Sequence, residues 1–158
     1  MSNLSTSRRL FGTLGALLVL PLVLTSSGGC ASSSSLHFAC DSPINGGLLL
    51  TVDIVRATEE QARQIQALGE KWFYDPLRDS LRSRTTTVTF PTKDASGRCE
   101  RSVAVKADGK EKFLVIVADY KYQSPDTSRQ LVSLPRERWK GKTLDIAVHD
   151  RELSVTTR

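Results

Sequence analysis

Two histidines, three cysteines and scattered carboxylates are the side chains of this 158-residue sequence with reactive potential. A general base needs an imidazole or carboxylate within reach of its proton and an acid to orient it. His149 closes a predicted strand on the polar face that also carries Asp145, so the two could form such a pair. An exposed pair on one antiparallel strand gives the same pattern without catalysis, and that plainer reading is preferred. His37 stands apart, near the start of the folded region. Asp119, Asp145 and Asp150 suit solvent-facing positions or turns. There is no Gly-rich phosphate loop and no nucleophile elbow. Cys30, Cys40 and Cys99 form no CxxC and no Cys/His cluster, so neither a metal nor a cofactor is expected. Nothing in this set asks for an enzyme.

The most informative of these residues is Cys30, because of what precedes it. Arg8 and Arg9 lead into an apolar run from Leu10 to Leu24, followed by Thr25-Ser26-Ser27-Gly28-Gly29. A positive flank, an apolar segment and a small-residue exit make an export signal. The run is about fifteen residues and contains Pro21, short of the roughly twenty needed to span a bilayer. The stretch resembles the lipobox of bacterial lipoproteins, in which the cysteine is acylated with chains such as palmitate and becomes the first mature residue. The alternative is an ordinary secretory signal followed by a chance cysteine. Several acyl chains on Cys30 would hold the protein firmly, since each buried methylene adds about 0.8 kcal/mol. Ala31, rather than Asp, follows the cysteine, and by the same resemblance this implies sorting to the outer membrane.

The expected organisation is a lipoprotein signal peptide over 1–29, a lipidated cysteine with a Ser-rich tether over 30–35, and one domain over 36–158. The net charge of +5 owes part to Arg8 and Arg9. Charges of both signs alternate along the rest, with no long basic block, so nucleic acid is not an expected partner. In an oxidising compartment Cys40 and Cys99 are left as a possible disulfide. Such a bridge would add roughly 4 kcal/mol by the chain-entropy estimate. Two separate buried thiols are the alternative.

Strand and helix signals then fall in order. Leu36 to Cys40 reads as a strand, and Asp41-Ser42-Pro43-Ile44-Asn45-Gly46-Gly47 as a loop dense in turn formers. Leu48 to Arg56 alternates, with Leu48, Leu50, Val52 and Ile54 inward and Thr51 and Asp53 outward. Thr58 can cap a helix, with Gln61 completing a capping box and Gly69 as its stop. Asp75-Pro76 starts a second helical turn, docked by Trp72, Phe73, Leu77 and Leu81. Strands follow, with Thr86, Val88 and Phe90, then Val103, Val105 and Ala107, as inward sets. Phe113 to Tyr120 is apolar on both faces and reads as a central buried strand. Further strands run from Arg129 to Leu134, Thr143 to His149, and through Leu153 and Val155, with loops at 91–98 and 123–128. About eight strands with a helical insertion after the second predict an all-β, immunoglobulin-like or transthyretin-like sandwich.

Taken with an exported cysteine, several runs resemble the TssJ (SciN) lipoproteins of bacterial type VI secretion systems. They are Val52-Asp53-Ile54-Val55-Arg56-Ala57, Trp72-Phe73-Tyr74-Asp75-Pro76-Leu77, Val88-Thr89-Phe90-Pro91 and Phe113-Leu114-Val115-Ile116-Val117-Ala118-Asp119-Tyr120-Lys121. The closing segment from Leu144-Asp145-Ile146-Ala147-Val148 through Leu153-Ser154-Val155 is similar to the family's last hairpin.

The resemblance implies a transthyretin-like sandwich held at the periplasmic face of the outer membrane. It implies a structural anchor that binds the periplasmic part of a TssM-like inner-membrane protein, and through it TssL, without catalysis. The loop between the first two strands makes the contact in that family, which maps onto Asp41, Ser42, Pro43, Ile44, Asn45, Gly46 and Gly47. Ile44 is its expected exposed apolar anchor. Two other readings stay open. One is a glycan- or peptidoglycan-binding envelope lipoprotein, for which Trp139 and Tyr122 are the candidate outward aromatics. The other is an envelope hydrolase using His149.

Overall fold

Period-two burial sets the architecture. In the computed structural model, which describes residues 32–40, 44–90, 99–121 and 130–158, inward side chains of two sheets meet in one sandwich core. The strands are β1 (Ser33–Cys40), β2 (Leu50–Ala57), β3 (Thr85–Phe90), β4 (Glu100–Lys106), β5 (Phe113–Ala118), β6 (Leu131–Pro135), β7 (Thr143–Val148) and β8 (Leu153–Thr157). One four-stranded sheet has the order β4-β1-β7-β8 and the other β3-β2-β5-β6. All described pairings are antiparallel except β1 with β7, where Ser35 lies beside Thr143 and Cys40 beside Val148. Between the sheets pack Leu36, Phe38, Val52, Ile54, Phe90, Leu114, Ile116, Leu144, Ile146 and Trp139. The Phe38 and Phe90 rings meet at 5.6 Å and 49°, the tilted arrangement favoured by aromatic quadrupoles.

The expected all-β sandwich with a helical insertion after the second strand is the fold observed. The insertion comprises α1 (Glu59–Leu68), a tighter helical stretch over Gly69–Tyr74, and α2 (Pro76–Ser80). The start of α1 carries the expected capping box. The Gln61 N–H donates to Thr58 Oγ1 at 3.3 Å, and the Thr58 N–H to Gln61 Oε1 at 3.0 Å. Asp75 caps α2, accepting from the Leu77 N–H at 2.9 Å. Beneath the insertion lies a second core of Val55, Ala57, Ala62, Ile65, Trp72, Leu81, Val115 and Val117. This second core is why β5 is apolar on both faces: one face looks into the sandwich and the other supports the helices.

The same layer overturns one expectation. Asp53, expected on the solvent side of β2, is fully buried under the insertion. A buried carboxylate must be partnered. Trp72 Nε1 donates to Asp53 Oδ2 at 3.0 Å, Arg78 Nε to the same oxygen at 2.7 Å, and Thr87 Oγ1 to Oδ1 at 2.6 Å. Arg78 also lies over the Phe73 ring at 5.4 Å.

Other boundaries move. Strand β1 begins at Ser33, so Ser33 to Ser35, expected as tether, are part of the sheet. Ser34 is buried and donates to the Trp139 carbonyl at 2.7 Å. Strand β2 begins at Leu50, which leaves Leu48 outside the core. Thr86, expected inward, is exposed because β3 lies at the sheet edge. A short helix α3 (Arg136–Trp139), not anticipated, follows Pro135 and drives Trp139 into the sandwich. Trp139 is completely buried, so it is no outward aromatic for a glycan. The second such candidate, Tyr122, lies outside the described residues, as do the signal segment, Cys30, Asp41 to Pro43 and the loops at 91–98 and 123–128.

Candidate interaction loop

The loop between β1 and β2 is described from Ile44 onward, and its geometry differs from the expectation at the anchor. Ile44, expected to project, is 3% exposed and sits in the sandwich core. Ile44 packs in the core immediately before the chain turns. Asn45, Gly46 and Gly47 follow with φ of 48°, 61° and 81°. Three successive left-handed residues suit glycine, and asparagine tolerates the region because its short amide can bond locally.

Asn45 uses that ability fully. Its Nδ2 donates to the Leu49 carbonyl at 2.7 Å, and its Oδ1 accepts from the Lys121 N–H at 2.7 Å. Its own N–H donates to the Asp150 carbonyl at 3.1 Å, and the Gly46 N–H to Asp150 Oδ1 at 2.9 Å. The loop is thereby tied both to the segment after β5 and to the β7–β8 turn. Tyr120 reinforces the same junction, its hydroxyl lying 3.1 and 2.8 Å from the carbonyls of His149 and Glu152. Burial, then the nearby Glu152 and Asp150 carboxylates, raise the Tyr120 pKa, so the phenol stays protonated as a donor.

What this frame presents is apolar. Leu48 is 36% and Leu49 62% exposed, and with Tyr74 of the insertion they are the large exposed hydrophobic residues among those described. Leu49 is held from behind through its carbonyl by Asn45. Two adjacent leucines on a braced loop form a small, preorganised apolar tip, which lowers the entropy lost on docking. The alternation of Leu48, Leu50 and Val52 concealed this, since it places Leu48 on the buried face.

The base of the loop is also fixed. Cys40 ends β1 and is joined to Cys99 as a disulfide, with Cα atoms 5.2 Å apart. The Cys40 N–H donates to the Cys99 carbonyl at 2.9 Å. Of the remaining candidates, His37 lies beside Asp145 in the β1–β7 register, its Nδ1 is 2.8 Å from Ser102 Oγ, and the three line an open cavity of about 360 Å³. Asp145 is paired with Arg158, and His149 Nε2 lies 3.1 Å from Ser154 Oγ. Among the described residues no cluster of His, Cys, Asp and Glu could hold a metal ion, and no helix is long and apolar enough to cross a membrane.

No family model matches the sequence, and no curated protein does either. Solved structures do match. The T6SS lipoprotein TssJ1 from Pseudomonas aeruginosa superposes with a TM-score of 0.61 at 14% identity, over 81% of this chain and 97% of that one. The chain has the TssJ fold. A chain of a type VI membrane complex gives a TM-score of 0.64 at 16% identity, over 79% of this chain and 98% of that one. A chain of the structure of the T6SS protein TssM C-terminal domain from EAEC gives 0.61 at 15% identity, over 78% and 97%. The TssJ fold therefore accounts for the two sheets and the inserted helices, and the identities confine the likeness to fold.

Proposed function

We propose that this protein is a lipid-anchored structural component of a type VI secretion membrane complex. Cys30 carries the lipid, at the periplasmic face of the outer membrane, and the β1–β2 loop binds the periplasmic part of a TssM-like inner-membrane protein that works with TssL. The observation that carries this reading is the braced apolar tip on a TssJ-fold sandwich: Leu48 and Leu49 held outward by Asn45, with Asp150 and Lys121 behind them. The contact residues are thus Leu48 and Leu49, with Asn45, Gly46 and Gly47 as their support and Ile44 as the loop's root in the core. Asp41, Ser42 and Pro43 complete the loop toward Cys40.

The reading is tested by affinity capture of the tagged full-length protein from solubilised envelopes, followed by mass spectrometry. A TssM-like protein is expected with the parent. Leu48→Ser together with Leu49→Ser is expected to reduce its recovery at least about tenfold, since apolar anchors dominate such contacts. Both side chains are substantially exposed, so the variant keeps its fold. Undiminished recovery would move the contact elsewhere on the sandwich, and repeated failure to recover any inner-membrane protein from the parent would end the proposal.

A further inference from the structure

The four edges of the two sheets are not equally protected. Natural edges are blunted by charge, proline, a bulge or shortness, because a bare edge pairs with any extended chain. Strand β4 carries Glu100, Arg101 and Lys106, β6 ends in Pro135, and β8 is a five-residue strand closed by the Arg158–Asp145 pair. Strand β3 has none of these devices. Its six residues, Thr85-Thr86-Thr87-Val88-Thr89-Phe90, are uncharged and rich in β-branched side chains. Its register with β2 runs without a bulge from Leu50 opposite Phe90 to Val55 opposite Thr85. Among the described residues no strand pairs with its other side.

Beside this edge is an open cavity of about 500 Å³ lined by Arg78, Asp79, Arg82, Thr85 and Thr87. Arg78 is committed to Asp53. Arg82 is exposed, and its guanidinium has no ion-pair partner among the described residues. A guanidinium in that position invites a carboxylate, and its five fixed donors can grip one through two oxygens. A second copy docked edge to edge by two-fold symmetry pairs antiparallel, so its Arg82 falls at the far, Phe90 end and its uncharged β3 brings no carboxylate to this one.

We propose that β3 is a docking edge for an extended acidic segment of a protein partner. The segment adds as a fifth strand beside β3, its backbone supplying affinity and an acidic side chain reaching Arg82. The Phe90 end of this edge adjoins Leu50 and the leucine tip, whereas Arg82 lies beyond the opposite, Thr85 end, so Arg82→Glu and the Leu48–Leu49 variant test the two contacts separately.

The test uses the full-length protein in detergent micelles and a synthetic peptide alternating glutamate with valine. Binding is followed by fluorescence anisotropy, and its location by amide hydrogen exchange. The peptide is expected to bind and to slow exchange within Thr85–Phe90. Changing its glutamates to lysine, or Arg82→Glu in the protein, should weaken binding about tenfold or more. Methylating alternate peptide nitrogens should abolish it, because the ladder bonds go with them. The proposal is overturned if no binding occurs, if the lysine peptide binds equally well, or if methylation has no effect. Protection outside β3 also overturns it, as does protection of β3 by raised protein concentration alone, which would assign the edge to a second copy.

Discussion

Replacing Asn45 with alanine removes two side-chain hydrogen bonds while keeping a backbone φ of 48° that alanine resists. Each lost bond leaves a backbone group of Leu49 or Lys121 without its partner, so a loss of about 2–3 kcal/mol is expected. A urea titration of Asn45→Ala would read it as a lower midpoint. Asp119 makes a different, pH-dependent case. Burial, the largest influence, raises its pKa above the ordinary 3.8, Arg78 opposes the shift, and Asp53 adds to it. A raised carboxyl pKa contributes stability below the unfolded value that is lost as pH rises through the folded one. Asp119→Asn should therefore match the parent at the acid end and become relatively more stable as pH increases above 3.8. Thermal melts across that range would check it; a constant difference would contradict the stated cause.

At the scale of elements, the helical insertion and the disulfide each make a prediction. Ile65 is the fully buried centre of α1 against Val55 and Val115. Ile65→Ala should cost roughly 2–5 kcal/mol, the range for truncating a buried aliphatic residue, measured by denaturant unfolding. Cys40→Ser with Cys99→Ser opens a loop with sequence separation 59 and is expected to cost about 4 kcal/mol. It should also loosen the loop that starts after Cys40, seen as faster amide exchange at Gly46 and Gly47. The elements themselves were readable in the sequence where one layer of packing decided them. Leu144, Ile146 and Val148 alternate into the core as expected, and Thr58 with Gln61 caps α1. The misreadings fall where a second layer intervenes. Asp53 looked solvent-facing because its partners Trp72, Arg78 and Thr87 lie 19 to 34 residues further on. Ile44 looked like a tip because turn residues surround it, although the depth at which a loop re-enters a sandwich is set by the opposite sheet. The serines at the start of β1 carry no pattern distinguishing tether from strand.

For the whole molecule, the proposed function rests on two attachments, and each can be cut separately. Cys30→Ser is expected to shift the protein from the membrane pellet to the soluble envelope fraction and to abolish secretion, with an unchanged circular dichroism spectrum. Retention in the pellet would remove the lipid anchor from the proposal. Loss of the leucine tip, in contrast, should leave the protein on the membrane without its partner.

The placement of β1 has a mechanical meaning. Cys30 lies just before one end of that strand, the Leu48–Leu49 loop follows the other, and β4 and β7 flank it on both sides. If the proposed lipid and partner are both engaged, tension between them would run along β1 and load its flanking ladders lengthwise. The bonds to antiparallel β4 lie across the strand and resist sliding together rather than opening one at a time. The disulfide at Cys40 adds a covalent stop where the load passes from strand to loop. Under the proposed function, a sandwich threaded in this way would be a tension coupling between its two attachments.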